Sequence, residues 1–487
     1  DEIEDAYPLS ALQAGMVFHT QLEQFSGLYH DIVGQHVRCP WDAACFEQAL
    51  ASCVAEHPVL RTGFRLDGAR PLQFVRREVA LPLRVEDLRA MPEQEQEEHL
   101  ASWTEAHKRH VFDWERGPLF QIHVFLRSDD SFHFVLSAHH SVLDGWSWAA
   151  FTTMLYNRYA LRLSGQALVA SAGNPGFRDF VALELEMLRD PDARAHFLAQ
   201  LEGAPGQQLP RITRATEGPV AARRSSYEVG GFAALSSGLV GLARRLGVPI
   251  QSVALAGHYK VLSTLSGQPM AVSGVTHNGR PEQEGAEQAL GLFLNSLPMA
   301  IDTSDCSWRE LVARVVDVGA RNMAYRAYPL ARIQQDLGMT FEEVTFNYTH
   351  FHAYDALAAS DSEQLQVLSL DVFEQTNYEF LVEVSRSIAG DDGLSLHLKY
   401  DAAVIDVDTV SRIGDYYLRA YAQMLADPES SHLAAPLLDE SELTQLRDSR
   451  NATVVAYDAR PVQQQIAEQA QRTPASPAVV CGDVTLS

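Results

Sequence analysis

Helical and strand spacings alternate along this chain without a repeat of fixed period, so it has to fold as a mixed α/β protein and not as a solenoid. Ser10 stands ready to cap a helix carrying Leu12 and Met16, and Asp42 a second one with Phe46, Leu50, Cys53 and Val54 on one face. Leu239, Leu242 and Leu246 form a further helix face, closed by Gly247, a residue at ease in the left-handed cap position. Trp308, Leu311, Val312 and Val315 mark another, and Val410, Ile413, Tyr417, Tyr421 and Met424 a long late one. Residues from Phe132 to Leu136 alternate as a strand does, and a helix is expected to open at Ser147 with Trp148, Phe151, Leu155 and Tyr159 at helical spacing. These stripes read as core.

The 487 residues suffice for two large lobes, each with its own core. A short Ala/Ser/Gly/Pro stretch between Ala167 and Gly176 suits a crossing between them. From about Leu438 the chain turns polar, and after Asn451 a new unit begins. Pro461 leads into a helical segment from Val462, followed by Arg472-Thr473-Pro474 and a strand-like Ala478-Val479-Val480, too little to close a fold. The expected division is 1–170, 171–440 and 441–487.

Charge and cysteine usage exclude several classes. With 46% apolar and 21% charged residues the composition is that of an ordinary globular protein, but the formal net charge is −25. That sign repels phosphate backbones and anionic lipid, which argues against nucleic-acid and membrane partners. Cys39, Cys45, Cys53, Cys306 and Cys481 are odd in number and contain no CxxC pair, so neither a disulfide framework nor a zinc site is expected. A reducing compartment follows, and without a signal peptide or an apolar run near the ~18 residues of a membrane span the expected location is cytoplasmic.

The most informative stretch is His139-His140-Ser141-Val142-Leu143-Asp144-Gly145, at a strand-to-helix turn. Adjacent side chains of an extended backbone point to opposite faces, so one histidine can face a cleft while the other is buried and structural. Asp144 sits at the turn, and Gly145 lets the backbone approach a ligand closely. A strand-end histidine pair with a turn aspartate is the alternative reading of the same residues. No further side chains present themselves as metal ligands.

His139-His140-x-x-x-Asp144-Gly145 resembles the signature of the acyltransferase superfamily that includes chloramphenicol acetyltransferase and the condensation domains of non-ribosomal peptide synthetases. The opening Tyr7-Pro8-Leu9-Ser10-x-x-Gln13-x-Gly15-Met16-x-Phe18-His19 and His57-Pro58-Val59-Leu60-Arg61-Thr62-Gly63-Phe64 are similar to condensation-domain motifs. So are Phe177-Arg178-Asp179-Phe180, Gly279-Arg280-Pro281 and Leu290-Gly291-Leu292-Phe293-Leu294-Asn295-Ser296-Leu297-Pro298, with Ser296 where threonine is more usual. Tyr328-Pro329-Leu330 and Phe346-Asn347-Tyr348 fall where the last two motifs belong, the latter departing from its commonest form. The match runs over roughly residues 5–440, and the tail from Asn451 resembles the start of an adenylation domain.

The resemblance implies two chloramphenicol-acetyltransferase-like lobes in a V-shaped pseudo-dimer with a central tunnel. Upstream donor and downstream acceptor peptidyl carrier domains would present their substrates there on phosphopantetheine arms. The implied reaction is amide formation between a donor thioester and the amine of an acceptor aminoacyl thioester, with no cofactor bound by the domain itself and no metal. His140 would face the tunnel, as general base or to position the amine, and His139 would be structural. Asp144 would pair with an arginine, for which Arg61 and Arg280 are candidates. Gly145 would serve backbone geometry and offer its N–H to an oxyanion, with Trp146, Ser147, Asn295 and Ser296 as candidate lining. His277, His350 and His352 receive no role. The same signature admits an epimerization domain, and a non-catalytic docking module of the same fold, which usually carries a broken signature, is the other alternative. A cyclisation variant would carry aspartates in place of the histidine pair.

Overall fold

The computed structural model describes residues 2–23, 26–68, 70–168, 176–206, 209–211, 223–341, 343–349, 365–386 and 393–487. Most of the stretch between Ala167 and Gly176, and both His350 and His352, lie outside them. The chain divides into two compact units, Asp1–Leu437 and Leu438–Ser487.

In the larger unit the strands are β1 (Ile3–Pro8), β2 (His30–Arg38), β3 (Thr62–Arg65), β4 (Leu72–Arg76), β5 (Leu83–Asp87), β6 (Phe120–Leu126), β7 (Ser131–His139), β8 (Arg224–Glu228), β9 (Met270–Asn278), β10 (Leu294–Asp302), β11 (Val344–Thr349), β12 (Gln366–Phe373), β13 (Phe380–Arg386) and β14 (Leu394–Asp401). They form a small sheet β1-β4-β3, a five-stranded sheet β12-β2-β7-β6-β5 and a six-stranded sheet β10-β9-β11-β13-β14-β8.

The five-stranded sheet follows from strict alternation. Phe132, Phe134, Leu136 and Ala138 of β7 point into a core shared with Phe46 and Leu50 of the helix Ala43–Glu56 and with Phe151, Leu155 and Tyr159 of the helix Gly145–Leu163. Val135 points the other way, to Ile32, Phe125 and Leu100 of the helix Glu93–His107. The sheet is thus covered on both faces. Ser10 caps the helix Ala11–Leu22 through a reciprocal bond pair with Gln13, Asp42 caps its helix through Cys45 N–H, and Gly247 closes the helix Ser236–Leu246 at φ 66°. The helix expected to open at Ser147 begins instead at Gly145. Asp144 is its cap, because its carboxylate accepts the otherwise unpaired Ser147 N–H at 2.7 Å.

The six-stranded sheet packs one face on the helices Ser236–Leu246, Ile250–Ser266, Trp308–Met323 and Val407–Ala426. On β14, Leu394, Leu396 and Leu398 enter that core while Ser395, His397 and Lys399 face away from it. One return in the chain was not foreseen from sequence. β12 follows β11, a strand of the six-stranded sheet, yet pairs antiparallel with β2 at the edge of the five-stranded one.

Close approach explains Gly257. A Cβ there would lie 2.3 Å from the ring of Tyr421, which holds its helix on the next by donating to Ala254 O at 2.8 Å. Gly257→Ala is expected to destabilise the unit by about 1–3 kcal/mol through overpacking, read as a lower denaturation midpoint with an unchanged slope.

The smaller unit contains the short helix Glu440–Thr444 capped by Asp439, and the helix Val462–Arg472 after Pro461. Strands β15 (Val479–Cys481) and β16 (Val484–Leu486) form a hairpin around Gly482 at φ 56°. No residue of those helices or strands is buried. Among the described residues of the chain no single helix is long and apolar enough to cross a membrane.

Candidate active site

A cavity of about 1170 Å³ opens within the larger unit. One wall is the polar face of the six-stranded sheet, with Glu383 on β13 and His397 and Lys399 on β14. The other carries Asp31 and Val33 of β2, His140, and Gly145, Trp146 and Trp148 at the start of the helix after it. Leu370, Val372 and Phe373 of β12 and Glu374, Gln375 and Thr376 after it complete it, which is why the unforeseen return of β12 matters.

Strand register builds the centre of the site. Asp31 on β2 pairs with Ala138 on β7, and the ladder runs one step further as His140 N–H donates to Tyr29 O at 2.8 Å. Asp31 and His140 are therefore diagonal neighbours on one face, within reach of each other across the strands. Their side chains meet with Oδ2 2.6 Å from Nδ1. Burial opposes charge on the His140 imidazole, but Asp31 foremost, with Glu374 and Asp144, together outweigh it, and the imidazole is pushed up to about 9. Lys399 bridges Glu374 at 2.9 Å and Glu383 at 3.0 Å and, foremost among the influences on it, holds Glu374 ionised.

His139 points to the opposite face. Its Nδ1 accepts Ser141 N–H at 3.2 Å, so its proton sits on Nε2, 3.0 Å from Thr20 Oγ, and its ring meets Trp114 edge-on at 4.7 Å. Burial, with the neighbouring His140 and His30, keeps it well below the ordinary histidine value and neutral.

Asp144 does not face the cavity. It is 0% exposed and accepts from Arg280 Nη1 and Nη2, both at 2.9 Å, from Ser147 N–H at 2.7 Å and from Phe293 N–H at 3.0 Å. Burial opposes its ionisation, yet Arg280 holds the carboxyl below the usual range. Arg280 also donates to Ser147 Oγ at 2.7 Å and lies over the Phe293 ring at 4.6 Å. Ser147 Oγ in turn bonds Gly291 O at 2.8 Å and receives Gly291 N–H at 3.0 Å. Gly279-Arg280, Leu290–Phe293 and Asp144–Ser147 thus close as one latch, with Arg280 and Asp144 at its centre.

Arg61, the other candidate partner for Asp144, is elsewhere. It pairs with Glu4 at 2.6 Å and donates to Val54 O at 3.0 Å and Ala55 O at 3.3 Å, closing the end of the helix Ala43–Glu56. A long side chain at that helix end finds unpaired carbonyls before it can reach the turn at Asp144. Trp146 lines the cavity and donates to Glu287 O at 2.9 Å, whereas Ser147 belongs to the latch. Asn295 and Ser296 do not line the cavity. Asn295 Nδ2 donates to Arg326 O at 2.9 Å and Tyr328 O at 2.7 Å, and Ser296 is buried on β10 opposite Thr276. His277 is half-buried opposite Asn295 in the ladder, pushed down to about 4 by desolvation and by Arg326. Among the described residues no group of three or more His, Cys, Asp or Glu side chains is disposed to hold a metal ion.

Sequence reasoning missed Asp31, Glu374, Glu383, Lys399 and Tyr29. An acid inside the apolar run of β2 was a visible signal for Asp31, but only the register brings it to His140. Tyr29 adopts φ 57°, unusual for a side chain of its size. Besides receiving His140 N–H it donates its own N–H to Gln375 O at 2.8 Å and its hydroxyl to Asn377 Oδ1 at 2.6 Å, tying the histidine backbone to the stretch after β12.

A family model described as "Condensation domain" matches residues 3–447. The chain is 32% identical over 449 residues to the AMB antimetabolite synthetase AmbE of Pseudomonas aeruginosa, covering 91% of this chain and 20% of that protein. It is 29% identical over 499 residues to tyrocidine synthase 3 of Brevibacillus parabrevis, covering 100% of this chain and 8% of that protein. It therefore spans a fifth or less of the length of these relatives. The first condensation domain of the calcium-dependent antibiotic synthetase superposes with a TM-score of 0.71 at 19% identity, over 90% of this chain and 100% of that one. The X-domain from teicoplanin biosynthesis, also solved in complex with OxyB, superposes at 0.71 with 20% identity, over 88% of this chain and 97% of that one. At such identities the likeness concerns the fold.

Proposed function

The chain belongs to the condensation-domain family of non-ribosomal peptide synthetases, and on that premise we propose that it catalyses amide formation between two carrier-bound thioesters. The amine of an acceptor aminoacyl thioester attacks the carbonyl carbon of a donor acyl or peptidyl thioester. A C–N bond forms, the C–S bond breaks, one amine proton is lost and the departing sulfur gains one. The observation that carries this reading is His140, set on the wall of a cavity of about 1170 Å³ and held there by Asp31 at 2.6 Å.

Raised to about 9, His140 is a cation at neutral pH and has no free site to accept a proton. This supports a hydrogen-bond donor to the carbonyl oxygen as negative charge develops there, in preference to a general base for the amine. A thioester is already activated and an amine is a good nucleophile, so holding the two arms together supplies much of the acceleration. Gly145 on the same wall suits a second donor to that oxygen. The substrates would arrive on phosphopantetheine arms of separate carrier domains, and the unit Leu438–Ser487 suits the start of a following adenylation domain.

The test loads a donor and an acceptor carrier with aminoacyl-phosphopantetheine groups and mixes them with the protein in deuterated water. Intact-protein mass spectrometry is expected to show the acceptor carrier gaining the donor acyl mass. Deuterium entering the α-carbon of one loaded carrier, without transfer, would replace this reading with epimerization. Neither change, over a panel of aminoacyl groups, would leave partner binding as the reading.

A further inference from the structure

We infer that Asp31 is a positioning residue for the reaction proposed above: it fixes His140 through Nδ1 and thereby keeps Nε2–H turned to the reacting thioester as a charged donor. The inference rests on that reading for its chemistry, but its geometric core is independent of it. Asp31 is 5% and His140 7% exposed, so each charge would be costly in that place without the other. Their diagonal placement across β2 and β7 fixes the approach with the rigidity of a sheet, and Tyr29 O holds the His140 backbone at 2.8 Å. Asp31 Oδ1, the second oxygen, is buried with no hydrogen-bond partner among the described residues.

Glu374 and Asp144 favour the imidazolium; burial and Glu374 oppose the Asp31 carboxylate, which His140 and, more weakly, Lys399 favour. The sign is determinate. In the intact pair the cation is lost, and donation with it, only as pH rises through about 9. Without the carboxylate, burial acts on His140 against Glu374 and Asp144 only, so the cation, and donation with it, is lost at a lower pH than in the intact pair.

The test compares the full chain with Asp31→Asn and Asp31→Glu in single-turnover transfer between loaded carriers, from pH 6 to 10. The wild type is expected to lose activity on an alkaline limb near pH 9. In Asp31→Asn that limb should move by more than about one pH unit toward acid, and at pH 9 the rate should fall about fivefold or more, in step with the lost imidazolium. Asp31→Glu, which restores the charge at a longer reach, should return the limb toward its original position. A uniform loss of rate at every pH with the limb unmoved would mean a merely structural role and overturn the inference, as would an Asp31→Asn enzyme of wild-type rate. His140 is titrated in parallel by NMR of 13C-labelled histidine, assigned with His140→Gln, which decides the matter even if the wild type transfers nothing. A midpoint above about 8 that falls by more than about one unit in Asp31→Asn supports the inference, and a smaller shift or none overturns it.

Discussion

Replacing Arg280 with alanine is expected to lower the stability of the unit Asp1–Leu437 by about 3–5 kcal/mol. Asp144 is wholly buried, and the bidentate guanidinium is the sole positive charge among its hydrogen-bond donors. Its two backbone donors, Ser147 N–H and Phe293 N–H, would remain, but they do not neutralise a carboxylate out of water. The same substitution takes away the Arg280 donor to Ser147 Oγ, which keeps its two bonds to Gly291. Arg280→Lys keeps the charge yet forfeits the second parallel contact, so an intermediate loss is expected. Urea denaturation reads the effect, with Asp144→Ala losing a similar amount and the double variant losing clearly less than the sum of the two. Arg61→Ala is the comparison: its partner Glu4 is 42% exposed, so a smaller loss is expected despite similar burial of the arginine. A loss under about 1 kcal/mol for Arg280→Ala would show that the latch is ordinary surface electrostatics.

His140→Ala is expected to slow transfer about 10²–10³-fold, the usual cost of removing one donor to a developing oxyanion. Saturation with the acceptor should change far less, because a donor that acts on charge formed in the transition state contributes little to ground-state binding. The fold should survive. Once His140 is gone, burial pushes the Asp31 carboxyl further toward its neutral acid, which limits the damage. Single-turnover kinetics with small pantetheine thioesters in place of loaded carriers separate the two effects. Loss of acceptor saturation with an unchanged maximal rate would assign His140 to binding and not to the chemical step.

Much of this was legible before any coordinates. Ser10, Asp42 and Gly247 cap their helices because capping is local chemistry, written within three or four residues. The division of labour between His139 and His140 follows from alternation of an extended backbone, and one faces the cavity while the other is tied to Thr20 and Ser141. What is local can still mislead: Ser147 looked like a helix cap, whereas Asp144, three residues earlier, takes that place and an arginine as well. Arg61 and Arg280 were indistinguishable as partners, since the choice depends on which of two distant segments returns to the turn. Asp31, Glu374 and Lys399 were invisible for the same reason. Their proximity to His140 comes from the β2–β7 register and from the passage of β12 to the edge of a sheet begun over three hundred residues earlier. Asn295 and Ser296 sit inside a family-like motif but serve packing, with Asn295 holding the carbonyls of Arg326 and Tyr328.

The most direct measurement places wild type and His140→Ala side by side with the same pair of loaded carriers and follows the acceptor carrier by intact-protein mass spectrometry through one turnover. The expected result is that the acceptor gains the donor acyl mass with the wild type, and does so about 10²–10³-fold more slowly with the variant. Equal rates of transfer by the two proteins would contradict the assignment of the chemistry to the wall formed by His140 and Asp31.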